Sequence, residues 1–495
     1  MEMLKNLPIR IWDALRSSLW FVPALIVSAM VVLAVVLVYA NGTVDEEVLG
    51  RFPRLFGAGA EGSRGLLTAV ASSMISVAGV TFSITIVVLS LASNQYSPRI
   101  LRNFLRDRFN QSVLGIFLGI YAYCLIVVRT IRADGDPFVP SLAVLGGVVL
   151  ALFGVGVLIA FIHHIIASIQ AGQIISEAAS ETLGAIDHLF PEPIGDPFPE
   201  GEDPGLSRFL GQTAWLPIPA RRSGYVCRVD GEALLGLAER VGAVARVEYA
   251  PGDFCVEGMP LVSLAFVPEA RAPLSEAENR RELFRRLEDG PRGDEAKVDL
   301  VAGKVDALYI LGKNRTVGQD VGFGIQQVVD VALKALSPGI NETTTAISCI
   351  HYLAVILSRL ASRKVGTRGR ASDGKLRVIA ERPSFEGLLD QAFDEIRRNA
   401  EGNVSVLDEL LVALGTIGTF SRDADRRRAL RRHVVEIAAV ADRSVAAPSD
   451  RGGLEARIRR ALVALGDPDG GDWSMGGEPP RHAQDQGAGA LAGRG

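Results

Sequence analysis

Four apolar runs, each near the ~20 residues that a helix needs to cross a bilayer, fill the first third of this 495-residue chain. They lie at about 19–40, 66–93, 113–131 and 142–166. Four such runs in succession predict an α-helical polytopic membrane domain over 19–167, after an N-terminal segment, 1–18. The first, "LWFVPALIVSAMVVLAVVLVYA", has Pro23 in its first turn, where a missing amide is tolerated. It ends in "VVLVYANGTV", without a small-x-small cleavage site, so it reads as a span and not as a cleaved leader. Arg129 closes the third run, where its long stem reaches the headgroups.

Basic residues set the orientation. Lys5, Arg10 and Arg16 precede the first run, and Arg99, Arg102, Arg106 and Arg108 lie between the second and third. The other two connections offset their arginines: Arg51, Arg54 and Arg64 against Asp45, Glu46, Glu47 and Glu61, and Arg132 against Asp134 and Asp136. Both termini are therefore expected in the cytoplasm. In "SNQYSPRILRNFLRDRFN", Ser97 is an N-cap and Pro98 a first helical residue. Arg99, Arg102 and Arg106 then share one face, with Ile100, Leu101, Phe104 and Leu105 away from it. That pattern predicts an amphipathic helix on the inner leaflet, its arginines on anionic lipid headgroups. A docking site for an anion or a partner is the alternative.

The second run is rich in small and hydroxyl residues. Ser72, Ser76, Gly79, Ser83, Ser90 and Asn94 fall at nearly one helical angle, with Thr81 and Thr85 on the other side. Such a stripe either lets helices pack closely or lines a water-filled path between protomers. No acidic residue or histidine lies mid-span, which speaks against a proton relay or ion-coupled transport. His163 and His164 end the fourth run and, with no carboxylate near them in sequence, read as interfacial.

The remainder reads as a cytoplasmic α+β region. A helix over about 168–190 leads into "PEPIGDPFPEGEDPG", so 168–205 forms a connecting helix and acidic, proline-rich linker. A small β-rich, barrel-like module follows at 206–270: "SGYVCRVD" and "AVARVEY" alternate as strands around the helix "GEALLGLAERVG", and "PGDFCVEGMPLVSLAF" reads as turn, strand, turn, strand. Its "PGD-F-x-V-x-x-G-x-P-L" pattern resembles half of a biotinyl/lipoyl-like barrel, but no lysine sits in the turn, so a structural or docking role is expected. Residues 271–466 read as a helical domain, with helices near 320–336, 342–362, 384–401, 404–420, 424–443 and 453–465, and 467–495 as a disordered tail. Arg315, Asp320, Ser337 and Asn341 flank the 320–336 helix. Asp320 is its expected N-cap and Ser337-Pro338-Gly339 its stop, with a cytoplasmic ligand or intersubunit site as the alternative.

Catalytic chemistry is not indicated. No phosphate loop, dinucleotide fingerprint, zinc spacing or nucleophile elbow occurs, and "FGAGAEG" at 56–62 reads as a loop. No cofactor, metal or catalytic residue is expected. Cys124, Cys227, Cys255 and Cys349 are scattered, which suits reduced thiols. A net charge of −4 gives no pull toward nucleic acid, and "DRRRALRRH" at 425–433 reads as a solvated helix face, with lipid or nucleic-acid contact as the lesser alternative.

Two stretches, "SMISVAGVTFSITIVVLSLASNQYSPRILRNFLRDRFNQSVLGIF" and "NRTVGQDVGFGIQQVVDVALKALSPGINETTTA", resemble the bacterial predicted membrane proteins of domain of unknown function 2254. "SGYVCRVD" and "PGDF" fit as well, and the resemblance spans roughly 10–445. That family continues "ALSPGIN" with aspartate, where this chain has Glu342 after Asn341. The resemblance implies a bacterial inner-membrane location and this architecture, without an activity. An oligomeric channel or permeation-type protein with a cytoplasmic regulatory domain is expected, because a polar stripe along a whole span is more than an anchor needs; a membrane-anchored ligand-sensing or scaffold protein without transport activity is the alternative. The arginine distribution makes one direct prediction: a cysteine at position 97 stays unlabelled by an impermeant thiol reagent in intact cells, and labels in inverted vesicles.

Overall fold

In lipid, every backbone amide and carbonyl must be satisfied within its own segment, so apolar runs become helices. The computed structural model describes residues 20–40, 59–95, 107–132, 138–168, 170–189, 196–197, 211–267, 274–286, 294–363, 365, 369–372, 375–380 and 383–467. They divide into two compact units, Met1–Ile174 and Ile175–Gly495. Ser97, Pro98 and Arg99, Arg102 and Arg106, the arginines expected on lipid headgroups, lie outside the described residues, as do 1–19, most of the 191–205 linker and 468–495.

The four runs become α1 (Phe21–Ala40), α2 (Ala60–Gln95), α3 (Arg108–Thr130) and α4 (Ser141–Ser168). The 36 residues of α2 make about 54 Å of helix, well beyond a hydrocarbon core of ~30 Å. Ala60, Glu61 and Gly62 form its first turn, so that part of "FGAGAEG" is helix and not loop. The aligned small and apolar residues that follow continue the helical period backward to Ala60.

α3 is the centre of this unit and packs on the other three helices. Glycines make the close approaches. A Cβ on Gly115 would lie 2.8 Å from Pro23 Cα, and one on Gly119 2.8 Å from Met30 Cγ, so this Gly-x-x-x-Gly pair seats α3 on α1. Gly146 and Gly147 of α4 make room for Tyr123 and Leu67, and the Tyr123 hydroxyl donates to the Ala143 carbonyl at 2.7 Å. Leu67, Ala71, Met74, Ala78, Thr81 and Val88 form the buried face of α2.

The second unit opens with α5 (Ala171–Leu189), whose Ile175, Ala178, Ala179, Thr182 and Ile186 are buried. The strands are β1 (Asp196–Pro197), β2 (Leu216–Pro219), β3 (Gly224–Val229), β4 (Val244–Val247), β5 (Phe254–Cys255) and β6 (Pro260–Ala265), with α6 (Gly231–Val241) between β3 and β4. α7 (Glu276–Arg286) and α8 (Asp294–Leu308) lead to β7 (Tyr309–Gly312). Next come α9 (Val321–Leu336), α10 (Thr343–Ala361), β8 (Gly369–Ser372) and β9 (Lys375–Ala380). The chain continues through α11 (Phe385–Asn399), α12 (Val404–Phe420), α13 (Ala424–Ser444) and α14 (Pro448–Ala464).

The β-rich stretch does not close on itself. Its strands join two sheets, a six-stranded one in the order β1-β8-β9-β4-β6-β2 and a three-stranded one in the order β5-β3-β7. β1, β7, β8 and β9 come from outside 206–270, and β4–β9 pairs in parallel while the other neighbours are antiparallel. Free strand edges seek partners, and here the linker and the segments at 309–312 and 369–380 supply them. The sequence expectation of a helical 271–466 therefore needs three strands added.

Five helices among the described residues are long and apolar enough to cross a membrane: α1 to α4 and, in the second unit, α10. α10 packs against α9 and α12 with Cys349, Ile350, Leu353, Ile356, Leu357 and Leu360 buried. Three of the five arginines in the basic run on α13 reach helix ends inside the bundle. Arg426 donates to the Leu360 and Ala361 carbonyls that end α10, Arg427 to Ser421 after α12, and Arg431 to Leu465 after α14. Each guanidinium bonds carbonyls at the C-terminal end of a helix.

The packing of the first unit predicts a contrast. Gly119→Leu destabilises the four-helix unit by about 1–3 kcal/mol through overpacking on Met30. Gly79→Leu, where nothing lies within 4 Å of the added Cβ, leaves the folding of the single chain unchanged. Thermal unfolding of the two variants at matched detergent concentration checks it.

Candidate functional site

The segment "RTVGQDVGFG" joins the sheets to the helices of the second unit. Asp320 caps α9, its Oδ1 accepting from the Phe323 amide at 2.9 Å. Its Oδ2 accepts from Arg315 Nε at 2.8 Å and Nη2 at 2.7 Å. Only 7% of Asp320 is exposed, and burial raises its carboxyl above the ordinary range, with Arg315 and the Phe323 amide pulling it back and Asp253 adding to the rise. Gln319, one residue earlier, bridges the backbone of β3, accepting from the Val229 amide at 2.8 Å and donating to its carbonyl at 3.3 Å.

Three glycines let neighbours reach this turn. Gly252 of the "PGD" turn has φ +101°, and any side chain there would collide with the Asp320 carboxylate. Gly322 faces Gln391 of α11, which donates to the Gly322 carbonyl at 2.9 Å. A Cβ on Gly324 would collide with Thr182 of α5. The first turn of α9 thus meets β3, the "PGD" turn, α11 and α5, and every polar atom named here is bonded within the protein.

Ser337 and Asn341 are not part of this cluster. They lie at the far end of α9, about 24 Å away along its 16 residues. Ser337 is the C-cap, its hydroxyl donating to the Lys334 carbonyl at 2.6 Å, and Asn341 takes the left-handed conformation at φ +47°. The Asn341 amide donates to Ser337 and the Glu342 amide to Ala335, which closes the stop. The four residues therefore form two helix ends, and the side chains at both satisfy backbone.

Among the described residues of the first unit, the α2 stripe packs against no other helix. Ser72, Ser76, Gly79, Ser83 and Ser90 are exposed, and the side chain of Asn94 lies outside the described residues. The Ser76 hydroxyl donates to the Ser72 carbonyl at 2.8 Å, as Ser73 does to Ala69, so both satisfy themselves on their own helix.

Two clusters escaped the sequence. His164 at the end of α4 meets Asp107, the N-cap of α3, at 2.6 Å, and Phe109 packs beside its ring. The carboxylate partner that the sequence near His164 lacks is 57 residues away. In the second unit, His433 of α13 is fully buried, with Nε2 2.8 Å from Asp390 Oδ1 and Nδ1 3.9 Å from Asp394 Oδ1. These three residues are close enough together to ligate a metal ion, but the charges around them do not suit one. Arg432 holds Asp390, and Arg397 and Arg398 hold Asp394 at 3.1 and 3.0 Å. A cation there would face three guanidiniums. No signal in a single sequence pairs Asp390 and Asp394 with a histidine on another helix.

Asp320 and Arg315 predict a double-mutant result. Asp320→Asn keeps the cap and removes a carboxylate whose ionised form burial disfavours, so it costs less than about 1 kcal/mol. Arg315→Met leaves that carboxylate buried and unpaired and costs about 3–5 kcal/mol. Arg315→Met with Asp320→Asn recovers most of the loss, as read by denaturant unfolding of the full chain. Because the Asp320 carboxyl is raised, its own contribution weakens stability as pH climbs through its titration. Asp320→Asn removes that acid-side slope.

No solved structure matches the chain significantly. An uncharacterised protein of Mycobacterium tuberculosis strain H37Rv, Rv1290c, is 30% identical over 465 residues, 92% of this chain and 82% of the relative. The uncharacterised protein Mb1321c of Mycobacterium bovis matches to the same extent. The family model described as predicted membrane protein DUF2254 matches residues 16–416, the reach of both the apolar helices and the α9 junction, and the chain belongs to that family of membrane proteins.

Proposed function

We propose that the chain is an integral protein of the bacterial inner membrane that associates with copies of itself and holds a cytoplasmic sensing or scaffold domain at the bilayer. In this reading α1 to α4 span, both termini are cytoplasmic, and α10 stays in the cytoplasmic bundle. The pairing of Arg359 on α10 with Asp187 of α5, at 2.9 Å, supports keeping α10 out of lipid. The observation that carries self-association is the outward α2 stripe. Small residues aligned over the length of a span permit close helix approach, and among the described residues nothing lies within 4 Å of a Cβ placed on Gly79. The self-bonded hydroxyls of Ser73 and Ser76 suit a dry seam.

The permeation role expected from the polar stripe needs that stripe to be wet. Phe117, Ile120, Tyr123 and Cys124 fill the centre of the four-helix unit, which supports a path only between copies. Ser83→Cys separates the roles. In a dry seam the cysteine forms disulfide-linked dimers under mild oxidation and resists a small hydrophilic thiol reagent, and reconstituted bilayers show no conductance. Reagent-sensitive conductance would replace the anchored assembly by a pore. Failure to cross-link anywhere along the stripe would remove self-association through α2.

A further inference from the structure

We propose that His433 makes the seam between α11 and α13 proton-operated: with a proton on each ring nitrogen it clasps Asp390 and Asp394 together. The geometry carries this. His433 is fully buried, Nε2 bonds Asp390 Oδ1 at 2.8 Å, and Nδ1 has no hydrogen-bond partner. A neutral imidazole has one N–H. Once Nε2–H is given to Asp390, the Nδ1 lone pair faces the Asp394 carboxylate 3.9 Å away, acceptor against acceptor. A buried acceptor left unpaired is unfavourable. A second proton turns Nδ1 into a donor toward Asp394, and a shift of about 1 Å makes the bond.

The surrounding charges lean the same way. α11 contributes Glu386, Asp390, Asp394, Arg397 and Arg398 and α13 contributes Arg432 and Glu436, so three cations meet four carboxylates. A histidinium balances them. The other helices against α13 spend their charges elsewhere: Arg457 of α14 pairs with Asp408 of α12 at 2.8 Å, and Glu409 of α12 with His351 of α10 at 2.9 Å. Histidine is the side chain that changes charge near neutral pH. The clasp forms only with the second proton on the ring, so the seam is tighter where the ring carries it and looser where it does not. Asp390 acts in a separate window, since its carboxyl lies below the ordinary range and its contribution is lost only as pH falls through the carboxylate range. The residue after Asp390, Gln391, bonds Gly322 at the first turn of α9, so a loosened seam reaches the junction with the sheets.

Thermal unfolding of the full chain in lipid nanodiscs, at about pH 6 and about pH 8, tests the clasp. The wild type is expected to lose about 2–4 °C in Tm between them, and His433→Gln to flatten that difference. If His433→Gln does not fold, Asp394→Asn decides, because it removes the second acceptor and keeps the Asp390 bond. A flattened difference supports the clasp. An unchanged difference in a folded His433→Gln or in Asp394→Asn overturns it.

Discussion

A carboxylate buried at the first turn of α9 is the point on which the second unit depends. Asp320 must accept from Phe323 to start the helix and from Arg315 to remain ionised in a dry place. Those two demands fix the approach of everything around it. Gly252 can lie over the carboxylate because it has no side chain, and Gln319 ties the same turn to β3. Gly322 and Gly324 bring α11 and α5 against the other side. Burial raises the carboxyl, so the pair adds little net stability, and its use is geometric: one arrangement of sheets and helices satisfies it.

The first unit obeys a different constraint. Between helices in lipid there is no hydrophobic gain, so contact comes from close fit. The chain places its internal fit on the glycines of α3 and α4 and on the Leu67, Ala71, Met74, Ala78 face of α2. The second small-residue face of α2 is left pointing outward. One face of α2 thus packs within the unit and the other stays exposed.

Arginines in the second unit are mostly structural. Arg426, Arg427 and Arg431 close the carbonyl ends of three helices, and Arg359 with Arg363 holds Asp187 of α5. Three arginines of the basic run on α13 thus bond backbone carbonyls at helix ends. The exposed neighbours add weak, screened pairs such as Arg428 with Asp425.

The sequence by itself determined what is local. Length and hydropathy placed the four apolar helices, and period and capping chemistry placed α9 to α13 within a residue or two, with Asp320 at the start and Ser337 at the stop of α9. What depends on distant partners was decided by tertiary structure. Short strands such as Tyr309–Gly312 and Gly369–Ser372 carry too few residues for a period, and only pairing with β3 and β9 defines them. Which face of α2 is buried is set by where α3 and α4 lie, because both of its faces are small and apolar. Asp107 meets His164, and Asp390 and Asp394 meet His433, across 39 or more residues of chain. Their meeting is a property of packed helices, and a one-dimensional pattern has no term for it.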